Sequence, residues 1–227
     1  MISKLPDWAW TAAWWLAFVA GMVNVVGLLS FQQQAITHLT GSTSLLAVAV
    51  TSLDGWAVLH FMGILGAFLA GTALSGLLIG GNATLRLRRR YGVGLLVESG
   101  LLLAAMPLLQ EGNLGGIYLT GCASGLQNGM GSIYSSGLVR TTHLTGILTD
   151  LGLFLGHALR RVPVDPRRVR LCLLLISGFF AGGIAGTAAF SQLGPATLLI
   201  PATLTGGAAL AYGAYRLNRL RLLRQYA

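Results

Sequence analysis

The chain has 227 residues, 54% of them hydrophobic, only 9% charged, with 32 glycines and a formal net charge of +9. A mean hydropathy of +0.72 argues against a soluble domain and for an all-α polytopic membrane protein, because apolar runs occupy most of the length. The positive charge does not describe a nucleic-acid-binding face: 13 of the 15 basic residues fall in three short clusters, as in the cytoplasmic loops of membrane proteins. Those clusters are Arg86, Arg88, Arg89 and Arg90; Arg160, Arg161, Arg167, Arg168 and Arg170; and Arg216, Arg219, Arg221 and Arg224.

In chain order, the first apolar stretch covers 8–31, preceded by a single lysine, Lys4. It is too long for a signal-peptide core and reads as a retained span, with Trp8, Trp10, Trp14 and Trp15 as an interfacial anchor. Inside it, Asn24 sits in a frame of Gly21 and Gly27, and Thr37-His38-Leu39-Thr40-Gly41 follows. A short apolar segment comes next, at 42–53, then two long ones at 56–80 and 92–109. The second half repeats that order. A long stretch at 114–137 carries Gly125, Gln127, Asn128 and Gly131, followed by Thr142-His143-Leu144-Thr145-Gly146. A short segment at 144–159 and long ones at 169–190 and 195–216 complete the chain.

Asn24 and Asn128 stand 104 positions apart, and His38 and His143 stand 105 apart. This is an internal duplication. The repeats run at about 8–110 and 114–216 within a single integral membrane domain, 1–227.

Charge decides the topology. A dozen helical residues cover roughly half of a hydrocarbon core of about 30 Å. If all eight segments crossed from a cytoplasmic N-terminus, the cluster at Arg86 to Arg90 would lie outside, against the positive-inside bias. With six full transmembrane helices, all three clusters and both termini are cytoplasmic. Each short segment then enters and leaves on one side, as a re-entrant or broken helix. The two halves become inverted-topology repeats, an arrangement that commonly places a substrate site near the midplane.

The repeated polar residues are therefore the candidate substrate-binding set: Asn24, Thr37, His38, Thr40, Gly41, Asn128, Thr142, His143, Thr145 and Gly146. Thr40 and Thr145 are placed to cap free N–H groups at a half-helix start, and Gly41 and Gly146 to permit close approach. Two such starts aimed inward put partial positive charge at the centre, which favours an anionic or polar neutral solute. The amides of Asn24 and Asn128 either touch substrate or bond the opened backbone beside the motif, the second being favoured. Gln127 has a valine, Val23, at its matching position and is the weaker candidate.

Three unduplicated groups, Asp150, Glu98 and Arg140, are candidates for proton or ion coupling. Asp150 and His157 share a helical face, and Arg140 is placed to pair with Asp150 or to anchor at the cytoplasmic side. No close His/Cys/carboxylate spacing supplies the three or four ligands of a metal site, although His60 and His157 can join the motif histidines in space. Cys122 and Cys172 lie in apolar stretches and read as small hydrophobes, and no cofactor is called for. An Asn82-Ala83-Thr84 sequon falls in a loop expected to be cytoplasmic and is discounted. Gly178, Gly182 and Gly186 match Ala67, Gly71 and Ser75 in the other half. Such small-residue faces serve packing within or between protomers, a homodimer included.

At Gly21 to Gly27 with His38 to Gly41, and at Gly125 to Asn128 with Arg140 to Asp150, the chain resembles the YoaK family of bacterial inner-membrane proteins, a domain of unknown function. The resemblance covers nearly the whole chain and implies a bacterial multi-span protein of transporter type. The expected partners are the lipid bilayer and a small-molecule or ion solute. Expected above the rest is a small-solute transporter or channel rather than an enzyme. The alternatives are a membrane sensor or assembly protein and, less favoured, an intramembrane hydrolase using His143 with Asp150.

Overall fold

A computed structural model describes residues 6–30, 37–80 and 89–225. The loop with Arg86, Arg88 and the Asn82 sequon lies outside the described residues, as do Lys4 and the side chains of Arg89, Arg216, Arg219, Arg221 and Arg224. Among the described residues the chain is all-helical, with no strand: α1 Asp7–Leu29, α2 Leu39–Thr51, α3 Gly55–Ile79, α4 Arg89–Gln110, α5 Leu114–Ser135, α6 Leu144–Leu159, α7 Pro166–Leu193, a 3-10 turn at Gly194–Leu198, and α8 Leu199–Gln225. Local chemistry sets several starts. Asp54, Asn113 and Asp165 accept hydrogen bonds from the backbone N–H of Ala57, Gly115 and Arg167 at 3.0, 2.8 and 2.9 Å, capping α3, α5 and α7.

Among the described residues, four helical stretches are long and apolar enough to cross a membrane: Asp7–Leu29, Gly55–Ile79, Arg90–Gln110, and Pro166–Tyr215, the last containing α7, the 3-10 turn and most of α8. At 13 and 16 residues, α2 and α6 reach only about 20 and 24 Å, short of a core of about 30 Å. Helix α5 is long enough but too rich in glycine and polar side chains to join the four. The reason is its position: from Thr120 to Met130 nearly every residue is buried. Packed against α3, α4 and α1, it needs no apolar coat of its own.

The most extensive pairings are α1 with α7 and α3 with α5. Glycine makes both possible. A β-carbon added to Gly182 would overlap the carbonyl oxygen of Phe18, and one on Gly21 that of Phe179. In the other pair, Gly71 meets the carbonyl of Cys122 and Gly125 that of Phe68. A shift of 104 positions along one helix and 111 along the other maps each contact onto its counterpart. The expected small-residue packing is present in its intramolecular form: Gly178, Gly182 and Gly186 seat α7 on Trp14, Phe18 and Met22.

Contacts also fix helix directions. Because positions 178, 182 and 186 meet 14, 18 and 22 in ascending order, α1 and α7 run parallel. Gly63 meets Tyr118 and Gly129 meets Ser75, so α3 and α5 run parallel too. The tilted rings of Trp8 and Tyr134 lie 5.5 Å apart and Gln127 bonds Leu16, which makes α1 and α5 antiparallel. Gly94 meets Met130 and Leu109 meets Gly116, and Gly92 meets Tyr212 while Ser99 bonds Ala202, so α4 opposes both α5 and α8. Helix α2 rests on α3 and α6 on α7, with no α2–α6 contact among the described residues. Their anchors are two separate apolar clusters, one holding Leu39, Leu46 and Ala49, the other Leu144, Ile147 and Phe154.

Candidate functional site

Both short helices begin inside their motif. His38 and His143 occupy the N-cap positions with nearly identical backbone angles, φ −87° and ψ 61° for His38, φ −89° and ψ 51° for His143. Neither start has a side-chain cap. The capping role expected of Thr40 and Thr145 is therefore absent: both lie within the first turn and are exposed. Gly41 and Gly146 also have a different use from the close approach expected. A β-carbon at either would strike the ring of the histidine three residues earlier, so each glycine lets that ring lie over the first turn. His38 and His143 are themselves exposed.

The asparagines hold these starts in place. The Oδ1 of Asn24 accepts from the Thr37 backbone N–H at 3.1 Å and from the Thr37 hydroxyl at 2.8 Å. The Oδ1 of Asn128 accepts from the Thr142 backbone N–H at 3.4 Å, while its Nδ2 donates to the Ser124 carbonyl at 2.9 Å. Asn24 lies five residues before the end of α1 and Asn128 seven before the end of α5. Each short helix thus begins about 8–10 Å back from the end of the preceding helix, at 1.5 Å per residue. In the second half the reversal is visible: Ser136 and Gly137 take φ 54° and φ 84°, and the Ser135 hydroxyl accepts the Val139 N–H at 2.7 Å. Left-handed backbone is what a sharp return requires.

A family model described as protein of unknown function (DUF1275) matches residues 12–211, taking in both asparagines and both motifs. The chain belongs to the DUF1275 family. The YoaK family, whose motifs it resembles, is a member. No curated protein and no solved structure matches the chain.

In this DUF1275 protein the two asparagine-held starts sit at different depths. Gln127, next to Asn128, donates to the Leu16 carbonyl at 3.0 Å. Asn24 lies eight residues beyond Leu16 on α1, so the two starts are about 12 Å apart along the bundle. A buried polar stripe on α5 spans that interval. Thr120, Ser124, Gln127 and Asn128 fall on one helical face, and all four are less than a tenth exposed. Since α1 and α5 are antiparallel, Thr120 stands at the level of Asn24. Thr120 and Ser124 were not singled out from the sequence, although their spacing from Asn128 in multiples of four carries the signal.

Glu98 adds a carboxyl to this interior. It is 2% exposed, its Oε2 has no hydrogen-bond partner, and it shares the α5-facing stripe of α4 with Gly94, Leu102, Ala105 and Leu109. The α4–α5 register sets it opposite Leu126 and Gln127. Thr141, beside Thr142, is likewise buried with an unpartnered hydroxyl. The other coupling candidates lie elsewhere. Arg140 and Asp150 are both exposed; the Arg140 guanidinium lies beside Gly137, and no ion pair joins the two among the described residues. No group of three or more His, Cys, Asp or Glu converges among the described residues. His60 instead meets the Tyr118 hydroxyl at 3.1 Å through Nδ1, and His157 is exposed on α6.

Proposed function

We propose that this protein moves a small anionic or polar neutral solute across a bacterial inner membrane, as a channel or carrier. In this reading six helices span as an inverted repeat, both termini are cytoplasmic, and α2 and α6 enter from opposite faces without crossing. Support comes from helix direction: α1 opposes its counterpart α5, α4 opposes α8, and the parallel pairs α1–α7 and α3–α5 make α3 oppose α7. The observation that carries the function is the buried polar stripe on α5 between two asparagine-held helix starts. Polar side chains inside a membrane bundle are costly and mark pathways.

The solute meets two stations in turn. At the first, Asn24, Thr37, His38, Thr40 and Gly41 present hydroxyls, a ring and free N–H groups of the α2 start. At the second, Asn128, Thr142, His143, Thr145 and Gly146 do the same for α6. Free N–H groups and the helix dipole favour negative charge at both. Glu98, level with Gln127 beside the second station, is the proton carrier if transport is coupled. Asp150 and Arg140, exposed near the second start, guide the solute at the cytoplasmic mouth.

Proteoliposomes shrunk osmotically with chloride, nitrate, acetate, glycerol or urea test the reading by stopped-flow light scattering. At least one solute should re-enter faster than in empty vesicles, and paired His38→Ala and His143→Ala changes should remove that excess while the protein still elutes as a single folded species. Glu98→Gln should abolish the response to an imposed proton gradient without removing downhill flux. Full flux in the double histidine variant would sink the site, and no flux with any solute would favour a sensor or assembly role.

A further inference from the structure

One further feature lies away from the two helix starts. Between α6 and α7, and reaching Trp14 of α1, runs a groove of about 1060 Å³. That is at the upper limit of the roughly 300–1,000 Å³ typical of small-molecule sites. Leu151, Phe154, Leu155, Leu173 and Phe180 line it, and its one charged lining residue is Arg170. The Arg170 guanidinium sits 5.2 Å over the ring of Trp10. A ring on one face leaves the in-plane N–H edges of the guanidinium free for a bidentate oxygen anion. Around this mouth the chain gathers Arg160 and Arg161 after α6 and Arg167 and Arg168 in the first turn of α7, all exposed; the acids nearby are Asp165, whose carboxylate caps α7, Asp7 one turn before Trp10 on α1, and Asp150 next to the groove-lining Leu151, so basic charge predominates.

We infer that this groove binds an anionic phospholipid of the leaflet facing the arginine-rich α6–α7 connection, with an acyl chain along Leu155 and Phe180 and the phosphate on Arg170. An apolar trough opening beneath a guanidinium matches the two-part chemistry of that ligand; a small polar solute would find only one polar edge. Basic pockets between helices at a cytoplasmic surface recognise anionic headgroups in this way. The corresponding connection between α2 and α3 is Ser52, Leu53 and Asp54, with an acid and no basic residue. The arginine-rich mouth therefore has no basic match in the α2–α3 connection, and the site is independent of the transport reading.

The test is native mass spectrometry of the full chain released from nanodiscs holding equal phosphatidylglycerol and phosphatidylethanolamine. Phosphatidylglycerol should be retained preferentially, and Arg170→Gln should lower its retention about fivefold, as expected for one surface arginine. Leu155→Trp, at an exposed groove position that leaves every charge in place, should lower it as well and carries the test if Arg170→Gln fails to fold. Arg90→Gln, the same charge change at an exposed arginine beside Gly80 and away from the groove lining, should leave retention unchanged. Equal retention of the two lipids, or equal losses in Arg170→Gln and Arg90→Gln, overturns the proposal.

Discussion

Helices α2 and α6 are the same device built twice, and they differ most where they leave the bundle. At their starts the two agree in detail: a histidine N-cap, a glycine under its ring, and a threonine N–H on an asparagine carbonyl. At their ends they part. Helix α2 turns into α3 through a three-residue link ending in the capping Asp54, whereas α6 runs three residues longer and delivers the chain to an arginine-rich connection beside an open groove. The interior of each repeat is held by geometry that tolerates little change, while the links that follow the two short helices differ in length and charge.

The largest expected effect tests the symmetric interior. Gly182→Leu and Gly71→Leu each drive a side chain into a backbone carbonyl that cannot rotate away, and each should cost about 3 kcal/mol. Thermal aggregation followed by size-exclusion chromatography should show equal losses; a benign change at one site alone would break the equivalence of the α1–α7 and α3–α5 pairings.

A smaller effect should separate the two asparagines. Asn24→Ala strips an acceptor from two donors and Asn128→Ala from one longer bond, so losses of about 2 and about 1 kcal/mol are expected in that order. Melting temperatures in the same detergent sharpen the comparison, and the reverse order would mean that the Ser124 bond of Asn128 matters more than its hold on Thr142.

The smallest effect concerns the glycines under the histidines. Gly41→Ala and Gly146→Ala gain about 1 kcal/mol of helix propensity and lose about 0.5–1.5 kcal/mol by pushing a ring off its rotamer. Net stability should barely move, while modification of His38 and His143 by diethylpyrocarbonate should accelerate at both sites. Unchanged reactivity at both would show that the rings do not depend on those glycines.

Much of this was legible in the residues. The duplication, the small-residue faces at Gly71 and Gly182, the placement of the two short helices and the bond from each asparagine to opened backbone all follow from spacing and from the cost of unpaired N–H groups in lipid. The assignment of Thr40 and Thr145 as caps failed because capping depends on which residue leaves helical angles first, and the histidine does so two positions earlier. The stripe of Thr120 and Ser124 went unremarked because a threonine or serine in an apolar run marks a buried path only when a neighbouring helix covers it. Asp150, close in sequence to the motif, turns out exposed because α6 buries Ile147 and directs other faces outward, and Arg140 is exposed in the link before α6, beside Gly137.

By itself the sequence determined the class and the repeat: hydropathy, glycine spacing and arginine placement are local properties that a bilayer reads directly. Only the tertiary structure decided that the two motif starts lie at successive depths, that α5 is a shielded polar core, and that α6, α7 and Trp14 of α1 together line a groove. Those outcomes depend on which helix face meets which, and two nearly identical motifs acquire different surroundings as soon as their neighbours differ.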